Sequence, residues 1–508
     1  MEKEWVSVIR RVKVENGWVC GLPASDPRIT SYKGIPFAAP PVGENRWRAP
    51  QPCADWEGDC LAYEFAPIPL QVHQPLDDNN IYTREWAVDP DIAMSEDCLY
   101  LNIWAPARNA EKLPVYVWYF GGGLQVGHTA EMEFDGERIA RRGIVVVTVG
   151  YRLNAFGFLC HPEITAEAPE APANFGFLDQ QFATRWVKRN IAAFGGDPDN
   201  ITIGGQSAGG MSVCAQMTCR ANEGLFQRAI IQSGCFAPPY PSDFALSSAL
   251  EEAEQRGVEF FKYLGVNSLA EARKIDAVTL RDKAVEFGGW WGEAIDGVFS
   301  TRNSQEWFLQ KDRIQCPVMM GCTDSEFMTW PPVKTTKELR AFAEENFGSR
   351  AEAFMECFGG CETEEEIRGR GSVSSIDFSI RLAARVDDSA PMYSYVFSAD
   401  IPGWDHPGTF HSVDLWFFFE TLAKCWRPFK GRHYDLARTM CDTWVNFIRT
   451  GDPNGVDSQE APLPEWPPLK ADNPMRMRFG MEPEAEACRP TKLMQLLMDA
   501  YLEKNQEG

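Results

Sequence analysis

A short serine-containing turn is the part of this sequence whose residue types and spacing best fit catalysis. Residues 205–209 read Gly-Gln-Ser-Ala-Gly, which has the pattern G-x-S-x-G. In this pattern the serine lies on a strained turn between a strand and a helix, and the small flanking residues let neighbouring backbone pass close to it. The run 201–203 is strand-like, and small residues and helix formers follow the turn to position 216. The sequence therefore predicts that Ser207 is a nucleophile for acyl transfer.

Three consecutive glycines can supply the hydrogen-bond donors that acyl transfer requires. Gly121, Gly122 and Gly123 follow the strand-like run 115–120, upstream of the serine turn. Glycines leave backbone N–H groups uncovered, and one such donor to the developing oxyanion is worth roughly 3 kcal/mol of barrier. A tight glycine turn without a catalytic role is the alternative interpretation.

The general base is expected among three histidines. In folds that carry such a serine turn, the acid and then the histidine follow the serine along the chain. Of the six histidines, that order leaves His406, His411 and His433. His411 lies just ahead of the apolar run 415–419 and is favoured, although residue chemistry alone leaves the choice open.

Two carboxylates stand out as partners for that histidine. Asp324 and Glu326 follow the buried run 317–321. The end of a strand is where a fixed orienting group belongs, because the strand holds it in place. The residues alone do not separate Asp324 from Glu326.

The elements around these residues predict an α/β fold. Short apolar runs that are typical of buried strands alternate with longer stretches of helical periodicity. The strand-like runs are 115–120, 144–151, 201–203, 229–231, 317–321 and 392–397. No repeat or linker divides the chain, so we expect one domain over 1–508, with helical cap insertions near 240–290 and 327–385.

Composition disfavours several classes of function. The formal net charge of the 508-residue chain is −23, and an acidic surface repels phosphate backbones and anionic lipid, so we expect neither nucleic acid nor membrane as a partner. No apolar run has the length of a signal peptide or approaches the roughly 18 residues of a membrane span. The fifteen cysteines follow no disulfide-framework or zinc-site spacing, which predicts a reducing, cytoplasmic location and no bound metal.

Two longer motifs lie at residues 194–209, around the serine turn, and at residues 96–104. The first fits the serine signature of the type-B carboxylesterases over its full length, and the second fits the second signature of that family. The chain thus resembles a family that includes para-nitrobenzyl esterases, animal carboxylesterases and cholinesterases. Shorter matches occur at 32–38 continuing to 46–47, at 174–180 and at 444–454. The motifs occur in the family's order, and the likeness runs from about residue 14 to about residue 480.

The resemblance implies an α/β-hydrolase fold, with a mostly parallel central sheet flanked by helices, and it resolves the open choices. By alignment with the family, Ser207 is the nucleophile, His411 the base and Glu326 the acid. The implied reaction is hydrolysis of a small-molecule ester in two acyl-transfer steps, without a cofactor or a metal. The implied oxyanion donors are the N–H groups of Gly122, Gly123 and Ala208.

Two other functions, one of them without catalysis, are compatible with the same residues. The triad can serve an amide or carbamate hydrolase, and the resemblance also covers catalytically inactive adhesion or scaffold proteins. All three triad candidates are present here, which favours an enzyme. The paired Trp290 and Trp291 indicate either an aromatic-lined substrate pocket or packing within a cap, and no pattern specifies an oligomeric state.

Departures from the family pattern bear on substrate and disulfides. Gln206 stands where the family usually has Glu, which removes a negative charge beside the nucleophile and predicts a neutral ester, aromatic or apolar. Pro69 stands where secreted members have the partner of Cys98, so we expect no disulfide at Cys98, with the less well placed Cys60 as the alternative partner. Phe120 replaces a common polar residue before the glycines, and Phe327 replaces a usual glycine after the acid.

Overall fold

The computed structural model describes residues 8–72, 79–86, 89, 91–108, 112–241 and 246–506. The described chain is built around one large sheet. From one edge to the other its strands are Glu484–Ala487, Met475–Phe479, Met392–Phe397, Val318–Thr323, Arg228–Gln232, Gly196–Gln206, Leu113–Tyr119, Val145–Val149, Tyr100–Pro106, Ile29–Pro36 and Leu22–Pro23. All six runs that were predicted as strands lie in this sheet.

The centre of the sheet is parallel and its edges are antiparallel. Neighbouring strands from Met475–Phe479 to Val145–Val149 pair in parallel. Antiparallel pairing begins at Tyr100–Pro106 on one side and at Glu484–Ala487 on the other. The mostly parallel sheet predicted for this chain is therefore confirmed.

The central strands are buried on both faces. In the strand Leu113–Tyr119, Val115 and Val117 belong to one hydrophobic core, whereas Tyr116 and Trp118 belong to the other. Successive side chains of a strand point to opposite faces, so a strand covered on both sides reads as a continuous apolar run. This is why the strands could be recognised without polar alternation.

Helices cover both faces of the sheet. Trp186 of the helix Phe175–Asn190 joins the first core, and Trp444 of the helix Gly431–Thr450 joins the second. The other α-helices are Ile81–Trp86, Glu137–Ala140, Asn154–Phe158, Pro162–Glu167, Ala208–Thr218, Leu250–Leu264, Leu269–Ala272, Ala277–Phe287, Ser304–Phe308, Thr336–Phe347, Ala351–Phe358, Glu364–Gly371, Ser375–Val386, Leu415–Phe418 and Lys492–Gln506.

Shorter elements complete the described chain. The small strands are Arg11–Val14, Gly17–Cys20, Asp59–Leu61, Ile68–Pro69, Met94–Ser95, Ser247–Ala249, Glu293–Ile295, Met328–Thr329 and Val373–Ser374. The 3₁₀ helices are Gly43–Asn45, Met132–Phe134, Ile191–Phe194, Arg220–Asn222, Gly348–Arg350 and Leu422–Lys424.

The two segments predicted as cap insertions are largely helical. The first, 240–290, contains the helices from Leu250 to Phe287, and its positions 242–245 lie outside the described residues. The second, 327–385, contains four helices, from Thr336–Phe347 to Ser375–Val386. Trp291, just past the first segment, packs on Phe260 with ring centroids 5.3 Å apart, which fits the cap-packing interpretation of that tryptophan.

No helix in the described ranges is long and apolar enough to cross a membrane. All fifteen cysteines are described, and each of them, Cys98 included, is a free thiol. Over the same ranges, no three His, Cys, Asp or Glu side chains are grouped so that they could hold a metal ion.

Candidate active site

The serine turn joins the strand Gly196–Gln206 to the helix Ala208–Thr218. Ser207 has φ 54° and ψ −122°, a conformation that a residue with a side chain rarely adopts. Two backbone hydrogen bonds hold it: its N–H donates to the Gln232 carbonyl and its carbonyl accepts from Met211 N–H, both at 2.9 Å. The surrounding backbone therefore maintains the strained turn that was predicted for the nucleophile.

The flanking glycines are required because backbone passes next to them. A Cβ atom on Gly209 would lie 2.0 Å from the carbonyl oxygen of Tyr119. One on Gly205 would lie 2.3 Å from the carbonyl carbon of Gly209. Both distances are far below any real contact, so this geometry accepts no side chain at either position.

His411 and Glu326, the predicted base and acid, are in contact. The His411 Nδ1 atom lies 2.6 Å from Glu326 Oε2, and both side chains are buried. Because a carboxylate only accepts hydrogen bonds, this contact places the proton on Nδ1 and leaves Nε2 of a neutral ring as an acceptor. The Nε2 atom lies 3.1 Å from the side-chain Nε2 of Gln206.

Glu326 is held in its ionised form by its neighbours. Its Oε1 atom accepts hydrogen bonds from the Ser233 hydroxyl at 2.5 Å and from Thr323 N–H at 3.1 Å. Burial by itself would raise the pKa of Glu326, but the charge and hydrogen bond of His411, together with these donors, bring that pKa below its usual value. An ionised carboxylate can orient the imidazole and stabilise its cation.

The other candidate residues do not meet at Ser207. Asp324 is exposed and accepts a hydrogen bond from Thr409, away from the His411 ring. His406 is exposed. His433 is buried, but its Nδ1 accepts from Lys430 N–H and its Nε2 lies 2.9 Å from the Asp400 carbonyl oxygen, so both ring nitrogens are engaged by backbone.

The predicted oxyanion donors lie beside the serine turn. Gly122 and Gly123 have φ of 104° and 64°, and Ala208 is the first residue of the helix that follows Ser207. No acceptor for the N–H groups of these three residues is found within the described ranges. A Cβ on Gly121 would lie 3.2 Å from the Ser207 Cβ, which measures how closely the glycine run approaches the serine. Uncommitted N–H groups at a helix start favour a negative oxygen.

A family model described as the carboxylesterase family matches residues 9–360 and 373–496 of the chain. The chain belongs to the carboxylesterase family. It is a serine carboxylic-ester hydrolase, as the resemblance implied.

Characterised relatives span nearly the whole of this carboxylesterase. The fumonisin B1 esterase of Sphingopyxis macrogoltabida is 30% identical, over 91% of this chain and 87% of the relative. The para-nitrobenzyl esterase of Bacillus subtilis (strain 168) is 31% identical, over 84% of this chain and 87% of the relative. A solved structure of PNB esterase superposes with a TM-score of 0.78 at 27% identity, covering 96% of this chain and 99% of the other. The α/β-hydrolase fold is thus confirmed.

The carboxylesterase has a cavity of about 800 Å³ that is bordered by Ser207 and His411. Much of its wall is apolar and aromatic. The aromatic residues that line it are Phe65, Tyr82, Trp86 and Phe134. Trp291 packs on Phe260, whereas Trp290 lies next to the glycine run, because a Cβ atom on Gly123 would be 3.2 Å from its ring; a substrate-facing role of Trp290 therefore stays a prediction.

One part of the cavity wall carries ionisable groups that the sequence did not single out. His128, Glu131 and Glu133 all border the cavity. Glu133 is 1% exposed, and neither of its carboxylate oxygens has a hydrogen-bond partner in the described structure. Burial, with the charge of the neighbouring Glu131, raises the pKa of Glu133 well above its usual value, which favours the protonated form.

Asp414 is a second missed carboxylate, close to the histidine and acid of this carboxylesterase. Its Oδ2 atom accepts from the Tyr395 hydroxyl at 2.7 Å, and its Oδ1 atom has no partner among the described residues. Burial raises the pKa of Asp414 to about 6, although the Tyr395 hydrogen bond limits the rise. Its place three residues after His411, just before the apolar run 415–419, is the sequence signal that could have identified it.

Proposed function

We propose that this enzyme hydrolyses small esters through an acyl-enzyme on Ser207, with His411 as general base and Glu326 as its orienting acid. The observation that carries the proposal is the buried His411–Glu326 contact of 2.6 Å, whose histidine borders the same cavity as Ser207. Gly122, Gly123 and Ala208 are the proposed oxyanion donors.

The first step forms the acyl-enzyme. Ser207 Oγ attacks the ester carbonyl carbon, the Oγ–H proton passes to His411 Nε2, and the carbonyl electron pair moves onto the oxygen. The three backbone N–H groups stabilise that oxyanion. When the pair returns, the bond to the alcohol breaks, and the His411 imidazolium gives its proton to the departing oxygen.

The second step repeats this sequence with water. His411 takes a proton from a water molecule, the hydroxide oxygen bonds to the acyl carbon, and the bond to Ser207 Oγ breaks as the proton returns to it. Throughout both steps, ionised Glu326 fixes the imidazole tautomer and stabilises the cation that forms.

Small neutral esters with an aromatic or apolar group are the proposed substrates. The cavity volume of about 800 Å³ is that of a small-molecule site, and the aromatic wall favours apolar groups. Gln206 places no charge beside Ser207, and the raised pKa of Glu133 disfavours its charged form, so both residues favour uncharged substrates. Amides and carbamates need the same triad and are the comparison class for the test.

Labelling the nucleophile tests the reaction. A neutral organophosphate should attach to one residue, and mass spectrometry of peptides should find the adduct on Ser207. Ser412 borders the same cavity, so Ser412→Ala is a matched control that should still be labelled. An adduct on another serine, or full ester turnover by Ser207→Ala, would contradict the proposal.

A substrate panel tests the class of substrate. We expect kcat/KM to be higher for aryl or alkyl esters than for amides and carbamates of the same acyl group. The acyl and alcohol parts should be varied separately, so that each preference is read on its own. Faster turnover of amides than of matched esters would assign the enzyme to the other class.

A further inference from the structure

The nitrogen that must accept the proton of Ser207 already has a partner in this structure. Gln206 and His411 are both buried, and their Nε2 atoms lie 3.1 Å apart. His411 Nδ1 faces Glu326 at 2.6 Å and therefore carries the ring proton. The contact with Gln206 is then an amide N–H that donates to the lone pair of His411 Nε2.

The Ser207 hydroxyl does not donate a hydrogen bond to the lone pair of His411 Nε2. Within the described ranges, the Ser207 hydroxyl makes no hydrogen bond to His411 or to any other side chain, although both residues border the cavity. An sp² nitrogen has one lone pair in the ring plane, so it accepts one strong hydrogen bond at a time. Gln206 and Ser207 are therefore competitors for the same acceptor.

The Gln206 side chain lies beside Gly121, the first residue of the glycine run. A Cβ atom on Gly121 would lie 2.8 Å from the Gln206 carbonyl oxygen and 3.0 Å from its side-chain Oε1. The absence of a side chain at Gly121 leaves this space to the amide. The amide that contacts His411 therefore lies next to the proposed oxyanion loop.

An amide can follow the change in charge of the ring, whereas a carboxylate cannot. The amide N–H donates to neutral Nε2, and after a half-turn its Oε1 accepts from the N–H of the imidazolium. A carboxylate at this position only accepts, so it would favour the charged ring, which cannot act as a base.

We propose that Gln206 is a positioning residue that caps Nε2 of His411 in the substrate-free enzyme and must withdraw or turn its amide before Ser207 can transfer its proton. This inference rests on the proposed function, because it assigns His411 as the base. Gln206 itself forms and breaks no covalent bond. The hydrogen bond from its amide stabilises the neutral His411 ring and must break before Ser207 can be activated.

The other ionisable groups near the His411 ring are the same in every variant compared in the test below. Glu326 faces His411 from the end of the strand Val318–Thr323, and Asp414 lies on the same segment as His411. The hydroxyls of Tyr82 and Tyr395 and the thiol of Cys322 lie in the field of these carboxylates. Variants at position 206 leave all of them in place, so differences between pH profiles report on the side chain at 206.

The test compares the pH dependence of kcat/KM for a small neutral ester in Gln206→Glu, Gln206→Met and the parent enzyme. For Gln206→Glu, we expect the midpoint of the acidic limb to rise by at least about one pH unit, since an opposite charge within about 4–6 Å favours the cation by that much. For Gln206→Met, which has no donor, we expect a smaller rise of the midpoint and a severalfold higher plateau at alkaline pH, because nothing has to leave Nε2.

Gln71→Met is the matched control. Gln71 borders the same cavity, but its amide bonds the backbone of Gly127 and Pro69 and makes no bond to His411. That variant can lower the plateau, but it should leave the midpoint of the acidic limb unmoved. If Gln206→Met lowers the plateau and Gln206→Glu leaves the midpoint where it is, the capping role is wrong.

Labelling separates this inference from the function on which it depends. The pH dependence of organophosphate labelling at Ser207 gives the same comparison in a single chemical step, even for a variant with poor turnover. A parent enzyme that is neither active nor labelled at Ser207 refutes the proposed function itself. A labelled, active parent with unshifted variants refutes the role of Gln206 alone.

Discussion

Glu326 and Glu133 are both buried glutamates near the substrate cavity, and their surroundings are opposite. Glu326 accepts hydrogen bonds from His411, Ser233 and Thr323, and its pKa is lowered. Glu133 has no such partner in the described structure, and its pKa is raised. Burial is shared by the two residues, so the donors around each carboxyl decide whether it is charged.

The comparison separates two kinds of polar group in one cavity. Around His411 the protein itself supplies the partners, which fixes geometry and charge before a substrate arrives. Around Glu133 the neighbouring group is a second carboxyl, that of Glu131, so burial and like charge act together to favour the protonated form. Changes at the first group should therefore act on the rate of the chemical step, and changes at the second on stability and substrate preference.

The largest effect is expected from removing the partner of the histidine. Glu326→Ala should lower kcat by about 100-fold or more, because the imidazole loses its fixed tautomer and the stabilisation of its cation. Asp324→Ala, two residues away, should stay within about threefold of the parent, since Asp324 contacts Thr409 and not His411. Steady-state kinetics with one neutral ester gives both numbers.

Glu326→Gln keeps the shape of the side chain, so it separates the loss of the carboxylate from a folding defect in the alanine variant. It should also lose most of kcat while its circular dichroism matches the parent. If Asp324→Ala proves the more damaging change, the acid has been assigned two residues from its true position.

A smaller effect, on stability, is expected at Glu133. In the unfolded chain this glutamate ionises above about pH 4.5, whereas the folded protein keeps it neutral to higher pH because its pKa is raised. The folded state then binds more protons, so the free energy of unfolding falls as pH rises, by about 1.4 kcal/mol per pH unit over which only the unfolded chain is ionised. Glu133→Gln does not titrate and should be the more stable form at pH 8.

Denaturant unfolding at pH 5 and pH 8 measures this difference. The gain in stability of Glu133→Gln over the parent should grow between the two pH values. Glu465→Gln, at an exposed glutamate, should show no such growth. A variant that is less stable than the parent at pH 8 would mean that Glu133 is ionised and paired in the folded protein.

The smallest effect is expected for substrate charge. Choline esters should be preferred over neutral isosteres by less than tenfold in kcat/KM, which is about 1.4 kcal/mol. Gln206 is uncharged, the raised pKa of Glu133 disfavours its charged form, and one oxygen of Glu131 is already bonded to His128 N–H at 2.8 Å. A preference for choline esters above tenfold would contradict this interpretation. If Glu131→Gln then abolished that preference, the charge of Glu131 would be its cause.

The fold and the strained serine turn could be predicted because their signals are local. Strands buried on both faces leave continuous apolar runs, and the serine turn leaves a glycine pattern that close backbone packing enforces. The choice of Glu326 over Asp324 was not local, and it came from the resemblance alone. In the structure, the Glu326 side chain is buried against His411, whereas the Asp324 side chain is exposed.

Contacts between distant segments could not be predicted. Residue chemistry alone leaves both His411 and His433 open as the base, and only packing shows that backbone groups occupy both nitrogens of His433. Trp291 packs on Phe260, and the aromatic cavity wall comes from other segments. The bond between Gln206 and His411 joins residues 205 positions apart, which no sequence periodicity encodes.

The tight packing of the serine turn also determines how this lineage can change. Any substitution at Gly205 or Gly209 collides with backbone, whereas exchanging Ser207 for alanine adds no atom. Replacement of Ser207 by alanine would therefore remove the proposed nucleophile and leave the packing of the turn intact. A chain that shares this packing should need both glycines whether or not it has a serine between them.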